Sequence, residues 1–126
     1  MDGWGEFVFS EPYAGGEVEQ VNTVVLPQQY LDFMKKHNGG EGDIGETWLI
    51  LFPLEELQEI NDDYRIGEFL PNRIIIGSNG GGELYGIDGG GGYFNVPIVI
   101  DENDVTALGN DLDLLPGRIN DFWKSL

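Results

Sequence analysis

The chain has 126 residues, of which 23 are Asp or Glu and 6 are Lys or Arg, so its formal net charge is −17. That length fits one domain, 1–126, and 40% hydrophobic with 12% aromatic residues argues against disorder. The negative field disfavours nucleic acid and anionic membranes as partners, and the absence of cysteine excludes disulfides, zinc–thiolate sites and cysteine nucleophiles.

The first predicted element is a short helix after Gly16. Val18, Val21 and Val25 would lie on one side of it. Valines and the preceding glycine pair have low helix propensity, so the signal is weak.

A clearer helix is predicted within LPQQYLDFMKKHNGG, residues 26–40. Pro27 suits a first helical position, and apolar residues recur at helical spacing after it. Lys35 and Lys36 in the last turn complement the helix dipole, and glycines follow as a stop. For His37, at the end of this helix, capping or packing is expected rather than catalysis.

The middle of the chain predicts a strand followed by an acidic helix. WLILF, 48–52, is a short apolar run typical of a buried strand, and Pro53 opens the helix PLEELQEINDDY. At ~100° per residue the apolar side chains of that helix fall on one arc and five carboxylates on the other. These five are Glu55, Glu56, Glu59, Asp62 and Asp63.

The second half predicts short strands and a closing helix. RIIIGS, ELYGI and YFNVPIVI read as strands, the last one covering 93–100. Ile119, Phe122, Trp123 and Leu126 follow the i, i+3, i+4, i+7 spacing of an amphipathic helix.

Residues 74–94 are rich in glycine, which raises the question of a phosphate site. A P-loop needs Lys-Ser/Thr after its glycines and then a helix, whereas a strand pattern with carboxylates follows here. Asn79-Gly80 and Asp88-Gly89 instead match tight turns between antiparallel strands, because both pairs accept positive φ. The glycines are therefore predicted to form turns.

The sequence does not match the motif of a calcium loop or of a nucleophile elbow. DENDVT, 101–106, lacks the glycine and closing glutamate of a calcium loop. Ser78 lies in a near miss of the nucleophile elbow, because Ile76 stands where the first glycine should be. We therefore expect no cofactor, no dedicated metal site and no enzymatic activity.

Acidity is concentrated between Arg73 and Arg118, where no basic residue occurs. Seven carboxylates lie in that interval: Glu83, Asp88, Asp101, Glu102, Asp104, Asp111 and Asp113. Such a field attracts basic proteins or cations, although acidity that only maintains solubility is an open alternative.

No leader or membrane segment is expected. The start, MDGWGEFVFS, lacks the positive charge of a secretory leader. The longest apolar run, at 48–54, is far shorter than the ~20 residues of a membrane span. A soluble, cytoplasmic protein is the expectation.

Three stretches in this order resemble the SUKH superfamily, the Smi/Knr-type domain. They are LPQQYLDFMKKHNGGEG, WLILFPLEELQEIN and LPNRIIIGSNGGGELYGID, and the resemblance covers 17–115. The sequence departs from the pattern at Gln29, where an acidic residue often precedes the tyrosine. The resemblance implies an α+β domain with a curved, mostly antiparallel sheet flanked by helices.

The same resemblance implies a function. Bacterial members are immunity proteins that bind a cognate toxin, including nucleases, and fungal relatives are regulatory scaffolds. The leading hypothesis is a non-catalytic immunity protein that binds a basic toxin domain; the alternatives are a scaffold without a toxin partner and, more weakly, a metal-dependent hydrolase. Oligomeric state is not predicted.

The predicted partner-binding residues are ten carboxylates: Glu55, Glu56, Glu59, Asp62, Asp63, Glu83, Asp88, Asp101, Glu102 and Asp104. Trp4, Tyr64, Tyr85 and Tyr93 are candidate aromatic anchors at the centre of an interface, with core packing as the equal alternative for each.

Overall fold

The computed structural model describes residues 4–126, which are organised around one seven-stranded sheet. The strands are β1 (Val8–Phe9), β2 (Gln20–Val21), β3 (Val24–Val25), β4 (Gly40–Asp43), β5 (Trp48–Leu51), β6 (Arg73–Ser78), β7 (Glu83–Asp88), β8 (Tyr93–Pro97) and β9 (Thr106–Ala107). The large sheet has the order β1-β4-β5-β6-β7-β8-β9, every neighbouring pair is antiparallel, and β2 and β3 form a separate hairpin. The predicted α+β class with a mostly antiparallel sheet is confirmed.

Residues 4–126 also form four α-helices and three short 3-10 turns. The helices are α1 (Gln28–Lys36), α2 (Leu57–Asp63), α3 (Ile66–Phe69) and α4 (Leu115–Lys124), and the 3-10 turns are Leu54–Glu56, Glu102–Asp104 and Leu112–Leu114. The helices predicted after Pro27 and Pro53 are therefore present, and so is the closing helix. It ends at Lys124, which corrects the prediction that Leu126 lies on its apolar face, because Leu126 is outside the helix and exposed. The helix after Pro53 begins as a 3-10 turn before it becomes α2.

The glycine-rich stretch forms turns, as its sequence predicts. The Asn79 side chain accepts hydrogen bonds from the backbone N–H groups of Gly81 (2.8 Å) and Glu83 (3.0 Å) between β6 and β7. Asp88 does the same after β7 for Gly90 and Gly92, at 2.9 Å each. Such side-chain bonds replace the backbone partners that the chain loses at a reversal.

The helix predicted after Gly16 is wrong, because this region is the β2–β3 hairpin. Val21 and Val24 are buried and paired across the two strands. Asn22 turns the chain with φ of 51°, which asparagine adopts more readily than most residues. β-Branched side chains restrict rotamers in a helix and pack well in strands, so the low helix propensity decided the structure.

The third predicted strand is shorter than 93–100, because β8 ends at Pro97. Proline has no N–H to donate and therefore interrupts a ladder. Beyond it, Ile98 and Val99 are exposed and lie outside β8, which corrects the expectation that they belong to the strand.

Each face of the sheet has its own hydrophobic cluster. The larger cluster joins the first face (Leu49, Leu51, Ile74, Ile76, Tyr85, Ile87, Tyr93) to α1, α4 and the segment from Trp4 to Phe7. The smaller cluster, on the second face, joins Ile75, Leu84, Phe94 and Val96 to Ile66 and Leu70 around α3, with Ile60, Tyr64, Ile100 and Val105 at its border. Successive strand residues point to opposite faces, which places Ile74 and Ile76 on the first face and Ile75 on the second. The register between β6 and β7 shifts between Ile75 and Gly77, where β6 has a bulge.

Candidate protein-binding surface

The outer side of α2 and of the 3-10 turn before it carries the five predicted carboxylates. All five are exposed, whereas Leu54 and Leu57 on the inner side are at most 4% exposed. We call this set the acidic helix face; it comprises Glu55, Glu56, Glu59, Asp62 and Asp63. The predicted separation of apolar and acidic arcs is present, and the role of the face in binding stays a prediction.

In the described part of the chain, the acidic helix face has no cationic partner. Among residues 4–126, no Lys, Arg or His nitrogen lies within 4.0 Å of any of its carboxylates. Its hydrogen bonds come from neutral amides: Asn38 donates to Glu55 (2.7 Å) and Gln58 donates to Asp62 (3.0 Å). The face therefore presents uncompensated negative potential to solvent.

The buried side chain of Asn61 attaches α2 to the sheet. Its Nδ2 donates to the carbonyl oxygens of Leu57 (2.8 Å) and Ile75 (3.0 Å), and its Oδ1 accepts from the N–H of Ile75 (2.8 Å). The β5–β6 register pairs only Gly77 and Ser78 of β6, so the Asn61 amide acts as a strand partner for Ile75. A docked helix of this kind holds its carboxylates in fixed positions.

Sequence reasoning missed Asn61. Its signal was available, because at ~100° per residue Asn61 lies between Leu54 and Leu57 on the apolar arc. A polar residue on such an arc needs a buried hydrogen-bond partner, and here the partner is the backbone of Ile75.

A second group of predicted carboxylates lies in the 3-10 turn Glu102–Asp104 and its cap. Asp101 accepts a hydrogen bond from the Asn103 N–H (2.9 Å), and Asp104 is exposed. Glu102 forms an ion pair with Arg73 at 3.5 Å. The sequence suggested that no basic residue offsets the acidity of this stretch, and this ion pair corrects that expectation. The flanking Ile100 and Val105 pack on the second face of the sheet, as α3 and the end of α2 do.

The two remaining predicted carboxylates, Glu83 and Asp88, lie at the ends of β7. Asp88 holds the turn after β7. Glu83 begins β7 two residues before Tyr85 and therefore points to the first face, away from α3. Burial raises the pKa of Glu83 above its ordinary value of 4.5, against a smaller lowering by the Asn95 side chain. The ten residues do not form one patch.

Three of the four candidate aromatic anchors are core residues. Trp4, Tyr85 and Tyr93 are 1%, 1% and 2% exposed, so core packing, the alternative stated for each of them, is the correct one. Trp4 stacks on Phe33 with ring centroids 5.2 Å apart. Tyr64 is half-buried at the border of the smaller cluster.

An exposed aromatic residue that the sequence did not indicate lies on α3. Phe69 is 48% exposed beside the buried Leu70. The spacing of Ile66 and Leu70, the residues that face the core, turns Phe69 outward, and that spacing was readable in the sequence. Aromatic residues are enriched among those that dominate binding energy.

His37 and Ser78, which catalysis could use, make contacts with neighbouring residues of the fold. The His37 ring packs on Phe9, with centroids 4.7 Å apart, and its backbone N–H caps α1. The Ser78 hydroxyl accepts a hydrogen bond from the Gly80 N–H (3.1 Å). Within the described part of the chain, no three His, Asp or Glu side chains gather closely enough to hold a metal ion. No helix among residues 4–126 has both the length and the apolarity to cross a bilayer.

Fold and surface together define a small α+β domain that presents an acidic helix docked against β6, the central strand of an antiparallel sheet. The sequence model of the SMI1 / KNR4 family (SUKH-1) matches residues 16–115. The chain belongs to this family, which confirms the resemblance read from the three sequence motifs. A comparison with curated proteins gave no match.

Proposed function

We propose that this protein is a non-catalytic immunity protein that neutralises a basic toxin domain by binding it through the acidic helix face. The observation that carries the proposal is the set of five exposed carboxylates on α2, which no cation pairs within residues 4–126. Membership in the SMI1/KNR4 family supports an immunity-type role in general. The identity of the toxin and a cytoplasmic site of action belong to the proposal.

The physical basis is electrostatic attraction between a rigid anionic surface and a cationic cleft. Toxins that cleave nucleic acid need basic residues around the phosphates, and an acidic protein can occupy the same cleft. Long-range attraction accelerates encounter, whereas residence time depends on desolvated contacts. Phe69 and Tyr64, on and beside α3, could supply such contacts next to the acidic helix face.

The direct test is co-expression with the product of the gene adjacent to the gene of this chain, which the proposal predicts to carry a toxin domain. Cell survival and co-purification of the two products are expected. Loss of viability despite soluble expression of this protein would contradict the proposal. Co-purification without protection would instead favour a scaffold role.

A charge-reversal series then tests the surface. Glu55→Lys, Glu56→Lys and Glu59→Lys combined should slow association with the co-purified partner on the order of tenfold or more at low salt, and should flatten its salt dependence. The matched control is the triple reversal Glu6→Lys, Glu46→Lys and Asp121→Lys, which changes the net charge equally at exposed residues on or near α4 and β4. Equal effects of the two triples in stopped-flow measurements would remove the helix from the interface.

A further inference from the structure

One part of the second sheet face has no helix over it. Val8, Glu41 and Ile50 are register partners on β1, β4 and β5, so their side chains lie in a row on one face. Leu49 and Leu51, which flank Ile50, point to the other face and join the larger cluster. Val8 is 70% exposed, and Trp48, on the same face as Ile50, is 41% exposed. The smaller cluster covers this face only at β6–β8.

A groove of about 1050 Å³ lies over this row. Residues 8–15 line one part of it, and Pro53 and Glu55 at the start of the acidic helix line another. Asn38 connects these parts through three hydrogen bonds. Its backbone N–H donates to the carbonyl oxygen of Glu11 (2.9 Å), its Nδ2 donates to the carboxylate of Glu55 (2.7 Å), and its Oδ1 accepts from the backbone N–H of Leu54 (2.8 Å). The groove is therefore held by hydrogen bonds that join three separate segments of the chain.

The chemistry of the groove is both aliphatic and acidic. Val8, Ile50, Pro12 and Pro53 contribute apolar surface. Glu11, Glu41 and Glu55 are exposed carboxylates, and no Lys, Arg or His is among the lining residues within 4–126. No ion pair in the described part of the chain involves these three glutamates. Such a surface favours cationic side chains interspersed with aliphatic ones.

We propose that this groove binds a segment of the partner protein in which Lys or Arg side chains flank aliphatic ones. Valine-sized side chains contact Val8 and Ile50, and the cations pair with Glu11, Glu41 and Glu55. This inference rests on the proposed function in that it names a second contact for a basic partner. Glu55 belongs to both the groove and the acidic helix face, which makes the two surfaces continuous.

The test is an NMR titration of the ¹⁵N-labelled protein with a capped peptide of alternating lysine and valine. Saturable shifts are expected at the amides of Val8, Glu41 and Ile50. A peptide with glycine in place of valine measures the aliphatic contribution, and one with glutamate in place of lysine measures the charge contribution. Both should bind about tenfold more weakly or not at all.

Two substitutions test whether the peptide binds in the groove. Glu41→Lys should weaken binding by about tenfold, because it puts a cation in the middle of the row. Glu46→Lys is the matched control, since it makes the same charge change at an exposed residue outside the groove, and it should change binding by no more than about twofold. Preserved amide dispersion in each variant shows that it is folded; if Glu41→Lys fails to fold, Val8→Ser tests the same row by removing an exposed apolar side chain.

Shifts spread over the surface without saturation, equal effects of the two charge reversals, or equal binding of the glycine peptide would overturn the proposal. Failure of the groove can be told apart from failure of the proposed function. If the α2 triple reversal slows the toxin partner while Glu41→Lys affects neither partner nor peptide, only the groove proposal fails. If the peptide saturates the groove but co-expression gives no protection, only the immunity function fails.

Discussion

The two faces of the sheet differ in how fully other elements cover them. The first face is covered by α1, α4 and the chain around Trp4, and its cluster contains most of the buried side chains. The second face is covered by short helices at β6–β8 and is open at β1, β4 and β5. The acidic helix lies between the two clusters, because Leu54 and Leu57 belong to the larger one and Ile60 borders the smaller one, and the groove adjoins the thinner side. The difference indicates that stability resides mainly on the first face and that recognition can use the second.

The largest effect should come from a pair of tryptophan substitutions that compares the faces directly. Trp4→Ala removes a fully buried ring that stacks on Phe33, and should lower the free energy of unfolding by about 3–5 kcal/mol. Trp48→Ala, on the open part of the second face at 41% exposure, should cost less than about 1.5 kcal/mol. Urea denaturation of both variants measures the difference, and similar losses would contradict the proposed division between the faces.

The attachment of α2 to the sheet can be broken at Asn61. Asn61→Ala leaves the buried N–H and C=O of Ile75 without their partners, and should lower the free energy of unfolding by about 3 kcal/mol. The exposed Asn103→Ala is the control, because only the backbone N–H of Asn103 is bonded to Asp101. Hydrogen exchange at the Ile75 amide should accelerate in the first variant alone. Unchanged protection there would show that the Asn61 amide is not its partner.

A smaller change in the free energy of unfolding is expected at Asp88. Substitutions there test whether this carboxylate stabilises a turn or binds a partner. Asp88→Ala removes the acceptor of two backbone hydrogen bonds and should cost about 1–2 kcal/mol, whereas Asp88→Asn retains an oxygen acceptor and should cost less. Neither change should alter association with a basic partner as strongly as the α2 reversals do. Thermal melts followed by binding kinetics test both statements.

The smallest effect should be a pH dependence from Glu83, on the first face. Burial raises its pKa in the folded state above 4.5, so the folded protein holds this proton more tightly than the unfolded chain. The associated stabilisation is present below the unfolded pKa and is lost as pH rises through the folded pKa. The free energy of unfolding of Glu83→Gln, compared with the parent from pH 4 upward, should therefore lack that part of the decline.

The control for this pH series is Glu59→Gln on the exposed acidic helix face. Glu59→Gln makes the same change of one carboxylate to an amide at a solvent-exposed position. An identical pH profile for the two variants would show that burial of Glu83 has no measurable consequence for stability.

Much of the fold could be predicted from local sequence. The helix after Pro27, the acidic helix after Pro53 and the turns at Asn79 and Asp88 are encoded within a few residues by periodicity, proline position and side-chain hydrogen bonds. The exposure of the five carboxylates on α2 follows from the same periodicity. The family membership was also readable, because three local motifs occur in a fixed order.

Tertiary structure decided which of these local features come together. Gln29, the departure from the family pattern, donates to Asp111 and accepts from the Leu112 N–H, 82 and 83 residues away, and no local pattern foretells such partners. The same holds for Asn61 with Ile75 and for the burial of Trp4. Periodicity assigns a residue to an arc or a face of its own element, but the surface that covers that face comes from distant segments. For this reason the sequence determined the helices after Pro27 and Pro53, the glycine turns and the acidic character of the chain. Packing determined that residues 20–25 form a hairpin, and which carboxylates, aromatic rings and sheet strands are free to meet a partner.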